Sequence, residues 1–189
     1  MPVNINIRRD VSVEHEQLLH LLAAELATNP RASLEKLASA VGVSRTTLSR
    51  KFATRDDMLN ALAAQAVLES HSALERSRLE EGTAEEVIRR IVSNMLPSAE
   101  LYRVLESPEC EDFSALKEWL PVKQKLLEIH YLWQERGEVR IDLPATWISE
   151  SIFILMRGAA AMVRNGQLAR ADAVNAVCTL LFAGIRKQA

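Results

Sequence analysis

The chain has 189 residues, 48% hydrophobic and 25% charged, with a formal net charge of −2. Leu (26) and Ala (25) dominate the apolar set and Gly and Pro number only six each, so helix formers outweigh strand formers and turns are too few for a sandwich or barrel. Such a composition excludes disorder, a collagen-like fibre and a disulfide scaffold.

Cap residues divide the sequence into about nine helices. The first is predicted from about Ser12 to Thr28, with Leu18, Leu22 and Leu26 on one face, and stops at Asn29-Pro30. Ser33 reads as the N-cap of a short helix to about Ala40, and Gly42 stands where a left-handed C-terminal cap costs least. Ser44 caps a second short helix reaching Phe52. Thr54-Arg-Asp-Asp57 opens a long helix to about Arg78, its acids facing the positive end of the helix dipole.

Thr83-Ala-Glu-Glu86 reads as a capping box for a helix to about Leu96, where Pro97 intervenes. A shorter helix follows to Glu106, then a loop from Pro108 to Glu111. A helical region is expected from Asp112 to Arg136, kinked or restarted at Pro121 and ended by Gly137. Pro144 begins a helix to Arg164, closed by Asn165-Gly166, and the last runs from about Arg170 to Lys187. No period-two alternation persists, so the expected fold is all-α.

Residues 33–52 read S-L-E-K-L-A-S-A-V-G-V-S-R-T-T-L-S-R-K-F. Two helices of about seven residues are unstable alone, so they must pack on each other. Leu34, Leu37, Ala38 and Val41 from the first, Val43 from the turn, and Leu48 and Phe52 from the second supply the contact. This is the pattern of a helix-turn-helix, whose second helix enters the DNA major groove. Its outward residues are Arg45, Thr46, Thr47, Ser49, Arg50 and Lys51, and Ser44 to Arg55 holds four cations and no acid. Arginine bridges guanine O6 and N7, threonine meets a base, a phosphate or the thymine methyl, and Ser44 stands where backbone amides meet a phosphate. The alternative is a short solvated helix in an ordinary bundle.

The stretch from Leu34 to Phe52, with Ala-Thr-Arg-Asp-Asp-Met-Leu59 after it, resembles the TetR/AcrR family of bacterial transcriptional regulators. Ala38, Gly42, Val43, Ser44, Thr47, Leu48, Phe52 and Leu59 carry the match over roughly 50 residues. Three positions depart from the family: Thr46 replaces a common Gly, Ser49 an aromatic that usually touches a phosphate, and Lys51 a frequent His. Arg55 matches the family Lys that opens the fourth helix and meets the DNA backbone. Arg8 and Arg9, in an N-terminal arm, add backbone or minor-groove contacts or belong to a free tail.

The resemblance implies a DNA-binding domain over residues 1–54 and a helical effector-binding and dimerisation domain over 55–189. It implies a homodimer through the last two helices, a near-palindromic double-stranded operator, and repression relieved by a small, mostly apolar effector. Residues 147–164 and 170–187 independently supply broad apolar surfaces with small patches. Tyr102, Trp119, His130 and Trp133 are candidate pocket residues, each bulky with one polar handle, though core packing explains any one of them.

No enzyme is expected. His15, Glu16 and His20 give H-E-x-x-x-H, one residue too long for a helical zinc pair, because i and i+5 lie about 140° apart. No phosphate-binding or nucleophile motif occurs, so neither cofactor nor metal is expected. Cys110 and Cys178 fit a reducing cytoplasm. The first ten residues lack a signal core, and Glu150 and Arg157 interrupt the apolar run 147–163, so no membrane partner is expected. The remaining alternative is a helical docking module that does not bind DNA.

Overall fold

The computed structural model describes residues 6–105 and 114–185, and the side chains of 14–105 and 115–185. Among the described residues it has nine α-helices and no strand: α1 (Asn6–Thr28), α2 (Leu34–Ala40), α3 (Arg45–Lys51), α4 (Arg55–Ser77), α5 (Ala84–Met95), α6 (Ala99–Leu105), α7 (Ser114–Glu135), α8 (Ala145–Arg164) and α9 (Arg170–Ile185). A 3-10 turn, Leu96–Ser98, joins α5 to α6 at Pro97. The expected loop at Pro108–Glu111, Cys110, the helix start at Asp112 and the end at Lys187 lie outside the described residues.

The chain forms two compact units. One comprises Met1–Val67 with Glu100–Leu116, the other Leu68–Ala99 with Lys117–Ala189. In the first, α2 packs on both α1 and α3. Leu18, Leu19, Leu22, Ala23 and Leu26 of α1 are buried at 3.6-residue spacing, as are Leu37, Ala38, Leu48 and Phe52. Burying each Leu or Phe contributes about 1.5–3 kcal/mol, which holds helices too short to persist alone.

In the second unit, α5 and α8 both pack on α9. α5 buries Val87, Ile88, Ile91, Val92 and Met95, α8 Ile148, Ile152, Phe153, Met156 and Ala159, and α9 Val177, Cys178, Leu181 and Phe182. α8 is the one described helix long and apolar enough to cross a bilayer, and its buried face is part of this core.

Local chemistry sets the boundaries. Thr83 and Glu86 form the expected capping box, with Thr83 N–H donating to the carboxylate at 2.8 Å. Those hydrogen bonds from Thr83 hold the Glu86 carboxyl below its ordinary range. Glu138 caps the same end, accepting from the Ala84 amide at 2.6 Å. At the end of α4, Arg78 adopts a left-handed φ of 45° without being glycine. The Arg90 guanidinium donates to the Ser77 carbonyl at 2.8 Å, to that of Arg78 at 3.1 Å and to that of Glu81, satisfying carbonyls the helix leaves open.

Two boundaries differ from expectation. α1 starts at Asn6 rather than near Ser12; residues 6–11 contain no Pro or Gly, so the helix runs past the capping serine. Pro121 neither ends nor restarts α7, which continues through it. Lys117 and Pro121 are both exposed, so water reaches the carbonyl that proline leaves without a donor.

Candidate nucleic-acid interface

The turn joining α2 and α3 is built from hydrogen bonds that its sequence prescribes. Ser33 accepts from the Lys36 amide at 3.3 Å and starts α2. Gly42 takes φ +75°, a conformation costly for side chains with a Cβ, and its amide reaches the Ser39 carbonyl at 3.2 Å. Val43 N–H donates to Ala38 at 2.9 Å, which turns the chain over the buried Ala38 methyl. Ser44 then accepts from the Thr47 amide at 3.0 Å, and the two hydroxyls lie 2.8 Å apart. Leu48 and Phe52 face the core, with Leu34, Val41 and Val43 half-buried at the edges.

Rotation of a seven-residue helix about Leu48 decides what faces outward. Arg45, Thr46, Ser49, Arg50 and Lys51 are exposed, Ser44 is exposed but holds the cap, and Thr47 is half-buried. The outer face of α3 therefore carries three cations, two hydroxyls and no carboxylate. One acid reaches it from outside: Glu35 of α2 lies 3.7 Å from Arg45, and both side chains are more than 70% exposed. The sequence run 44–55 gives no hint of this pairing, because it crosses the turn.

Arg55 stands elsewhere. Its half-buried guanidinium donates to the carbonyls of Ala32 at 2.9 Å and Pro30 at 2.5 Å, tying the start of α4 to the α1–α2 turn. Thr54 and Asp57 cap that start reciprocally, at 2.9 and 3.0 Å. Arg8 and Arg9 fall in the first turns of α1, but their side chains lie outside the described residues.

The four pocket candidates divide between the units. Tyr102 is buried in the first. In the second, His130 and Trp133 meet edge to face at 4.9 Å, and Trp119 meets Phe153 at 5.7 Å. His130 Nδ1 lies 2.5 Å from the Leu126 carbonyl. A carbonyl only accepts, so Nδ1 carries the proton and Nε2 presents a lone pair. That Nε2 is buried without a hydrogen-bond partner among the described residues, and burial pushes the imidazole below its ordinary pKa of 6.5. Among the described residues no group of His, Cys, Asp and Glu could hold a metal.

No protein-family model matches the chain. Its sequence is 27% identical over 173 residues to the HTH-type transcriptional regulator NfxB of Pseudomonas aeruginosa, covering 89% of this chain and 92% of that protein. It is 26% identical over 167 residues to the HTH-type transcriptional repressor LfrR of Mycolicibacterium smegmatis, covering 85% and 84%. The solved structure of LfrR, a TetR-like transcriptional regulator in complex with proflavine, superposes with a TM-score of 0.67 at 25% identity, over 94% of this chain and 99% of that one. The chain is a transcriptional regulator that resembles TetR-like regulators in sequence and fold. It is a DNA-binding protein and not an enzyme. Both relatives align over most of their lengths, so the likeness extends beyond the α2–α3 turn.

Proposed function

We propose that the regulator reads a near-palindromic operator as a homodimer and represses transcription until a small, mostly apolar effector binds. The carrying observation is the outer face of α3, exposed and bearing no carboxylate of its own, on a helix fixed by the Ser44 cap and the Gly42 turn. Arg45 and Thr46 at its leading end face base edges, while Ser49, Arg50 and Lys51 meet phosphates. Ser44 and Thr47 orient the helix through their shared cap. Arg55 keeps a favourable charge near the DNA while its hydrogen bonds hold the α1–α2 turn. Residues 1–54 form the DNA-binding part, and 55–189 carry effector binding and dimerisation.

Exposed apolar residues support the dimer. Trp147, Ile154 and Met162 recur along α8, and Leu180 stands on α9. Gly158 and Gly184 have nothing among the described residues within 4 Å of where a Cβ would sit, so a second copy could approach these helices closely. Two α3 helices about 34 Å apart then enter successive major grooves. Trp119, His130 and Trp133, all in the second unit, form the proposed effector site. The acceptor at His130 Nε2 suits an apolar compound with a hydrogen-bond donor, and LfrR, crystallised with proflavine, gives a precedent for an aromatic ligand. The effector acts only through a difference in affinity between the free and DNA-bound states. As a regulator of transcription the protein works in the cytoplasm.

Selection of bound duplexes from a random pool tests the reading. Recovery of a two-fold-related sequence with half-sites about one helical turn apart is the expected result; no enrichment over input would refute it.

A further inference from the structure

The α1–α2 turn and the first turn of α2 carry two cations whose side chains no contact above uses. Arg31 and Lys36 line a surface cleft of about 530 Å³. Both are exposed, and neither has an ion pair among the described residues. The one carboxylate in the cleft wall, Glu25, accepts from Asn29 Nδ2 at 2.6 Å. The backbone beneath is fixed: Ala32 N–H donates to the Asn29 carbonyl at 3.0 Å, and Arg55 holds the carbonyls on both sides of Arg31, those of Pro30 and Ala32.

We propose that this cleft seats a backbone phosphate of the DNA strand flanking the half-site, held by Arg31 and Lys36, with Arg55 as the positioning residue. The inference rests on the reading of α3 as the groove helix. In a helix-turn-helix the first helix crosses the backbone beside the groove that the second enters, which brings the start of α2 and its preceding turn to that strand. Two donors of Arg55 are held by the neutral carbonyls of Ala32 and Pro30, whereas the side chains of Arg31 and Lys36 remain for an anion. Arg55 thus fixes the turn from which Arg31 reaches the phosphate.

The test compares the salt dependence of full-length protein binding to the selected operator and to a scrambled duplex of equal length. Arg31→Ala and Lys36→Ala each lower the log–log slope by about 1 and weaken both duplexes alike, roughly 5- to 10-fold at 0.1 M salt. Arg55→Lys, which keeps the charge but loses the fork, weakens binding as much as Arg55→Ala, and adding Arg31→Ala to either lowers the slope no further. Inorganic phosphate at constant ionic strength competes equally against wild type and Arg31→Ala. Unchanged slopes for Arg31→Ala and Lys36→Ala, with wild-type binding still sensitive to Arg45→Ala, overturn this inference alone. A phosphate effect confined to wild type marks a free-anion site and also overturns it. Absence of salt-dependent duplex binding by wild type overturns the reading of α3 and this inference with it.

Discussion

Replacing Arg45 probes how α3 distinguishes sequences. In the free protein its guanidinium lies 3.7 Å from Glu35, with side-chain exposures of 72% and 73%. A pair so solvated contributes about 0.2–1 kcal/mol, whereas bidentate contact with a guanine edge contributes about 1–3 kcal/mol. Leaving Glu35 for a base is therefore favourable, and Arg45→Ala should weaken the operator complex about 5- to 150-fold. A scrambled duplex should lose much less. Glu35→Gln removes the competing carboxylate and should tighten operator binding about 1.4- to 5-fold, a gain that disappears in the Arg45→Ala background. Fluorescence anisotropy on both duplexes at one salt concentration measures the four corners of this cycle. If Arg45→Ala weakens operator and scrambled duplex by the same factor, Arg45 is a phosphate contact and the base-reading argument fails.

Gly42→Ala should lose about 1–2 kcal/mol in urea unfolding from its left-handed backbone alone, because nothing lies within 4 Å of the added methyl; a neutral result would remove the conformational account of the turn. His130 is kept neutral in the native state by burial, while the unfolded chain takes up a proton near pH 6.5. Stability should therefore fall as pH drops below that value, by up to about 1.4 kcal/mol per unit, and urea midpoints of His130→Gln should show a flatter pH dependence. Leu180→Glu should turn the proposed dimer into a monomer in sedimentation velocity with its helical circular dichroism intact; an unchanged sedimentation coefficient would place the interface elsewhere.

The helix-turn-helix was legible because every determinant is local. Ser33, Gly42 and Ser44 act within three residues of themselves, and the spacing of Leu37, Ala38, Leu48 and Phe52 announces one packed face. Family resemblance supplied function, which composition and periodicity alone left between DNA binding and protein docking. What stayed hidden was chemistry between residues distant in sequence. Arg55 meets carbonyls 23 and 25 residues earlier, so its charge was visible but its hydrogen bonds were not. Glu35 approaches Arg45 only because Gly42 reverses the chain. Pro121 read as an interruption because the sequence does not reveal that its side of α7 faces water. Of the pocket residues, the sequence marked bulk and polarity but not the tautomer of His130, which depends on the Leu126 carbonyl one helical turn away.

The short connection between α7 and α8 behaves as a cornerstone rather than a spare loop. Gly137 turns it with φ +69°, Glu138 caps α5, and Gln134 holds the carbonyls of Arg140 and Leu143 at 2.9 and 2.8 Å. Arg140 donates its amide to Ile185 at 3.0 Å and its guanidinium to Gly184 at 2.9 Å. Four helix ends thus share a single knot, so an inserted tag, a protease nick or a length change here would loosen all of them together. Lineages of such regulators should vary in length elsewhere first, and a fluorescent-protein fusion should be grafted anywhere but at this corner.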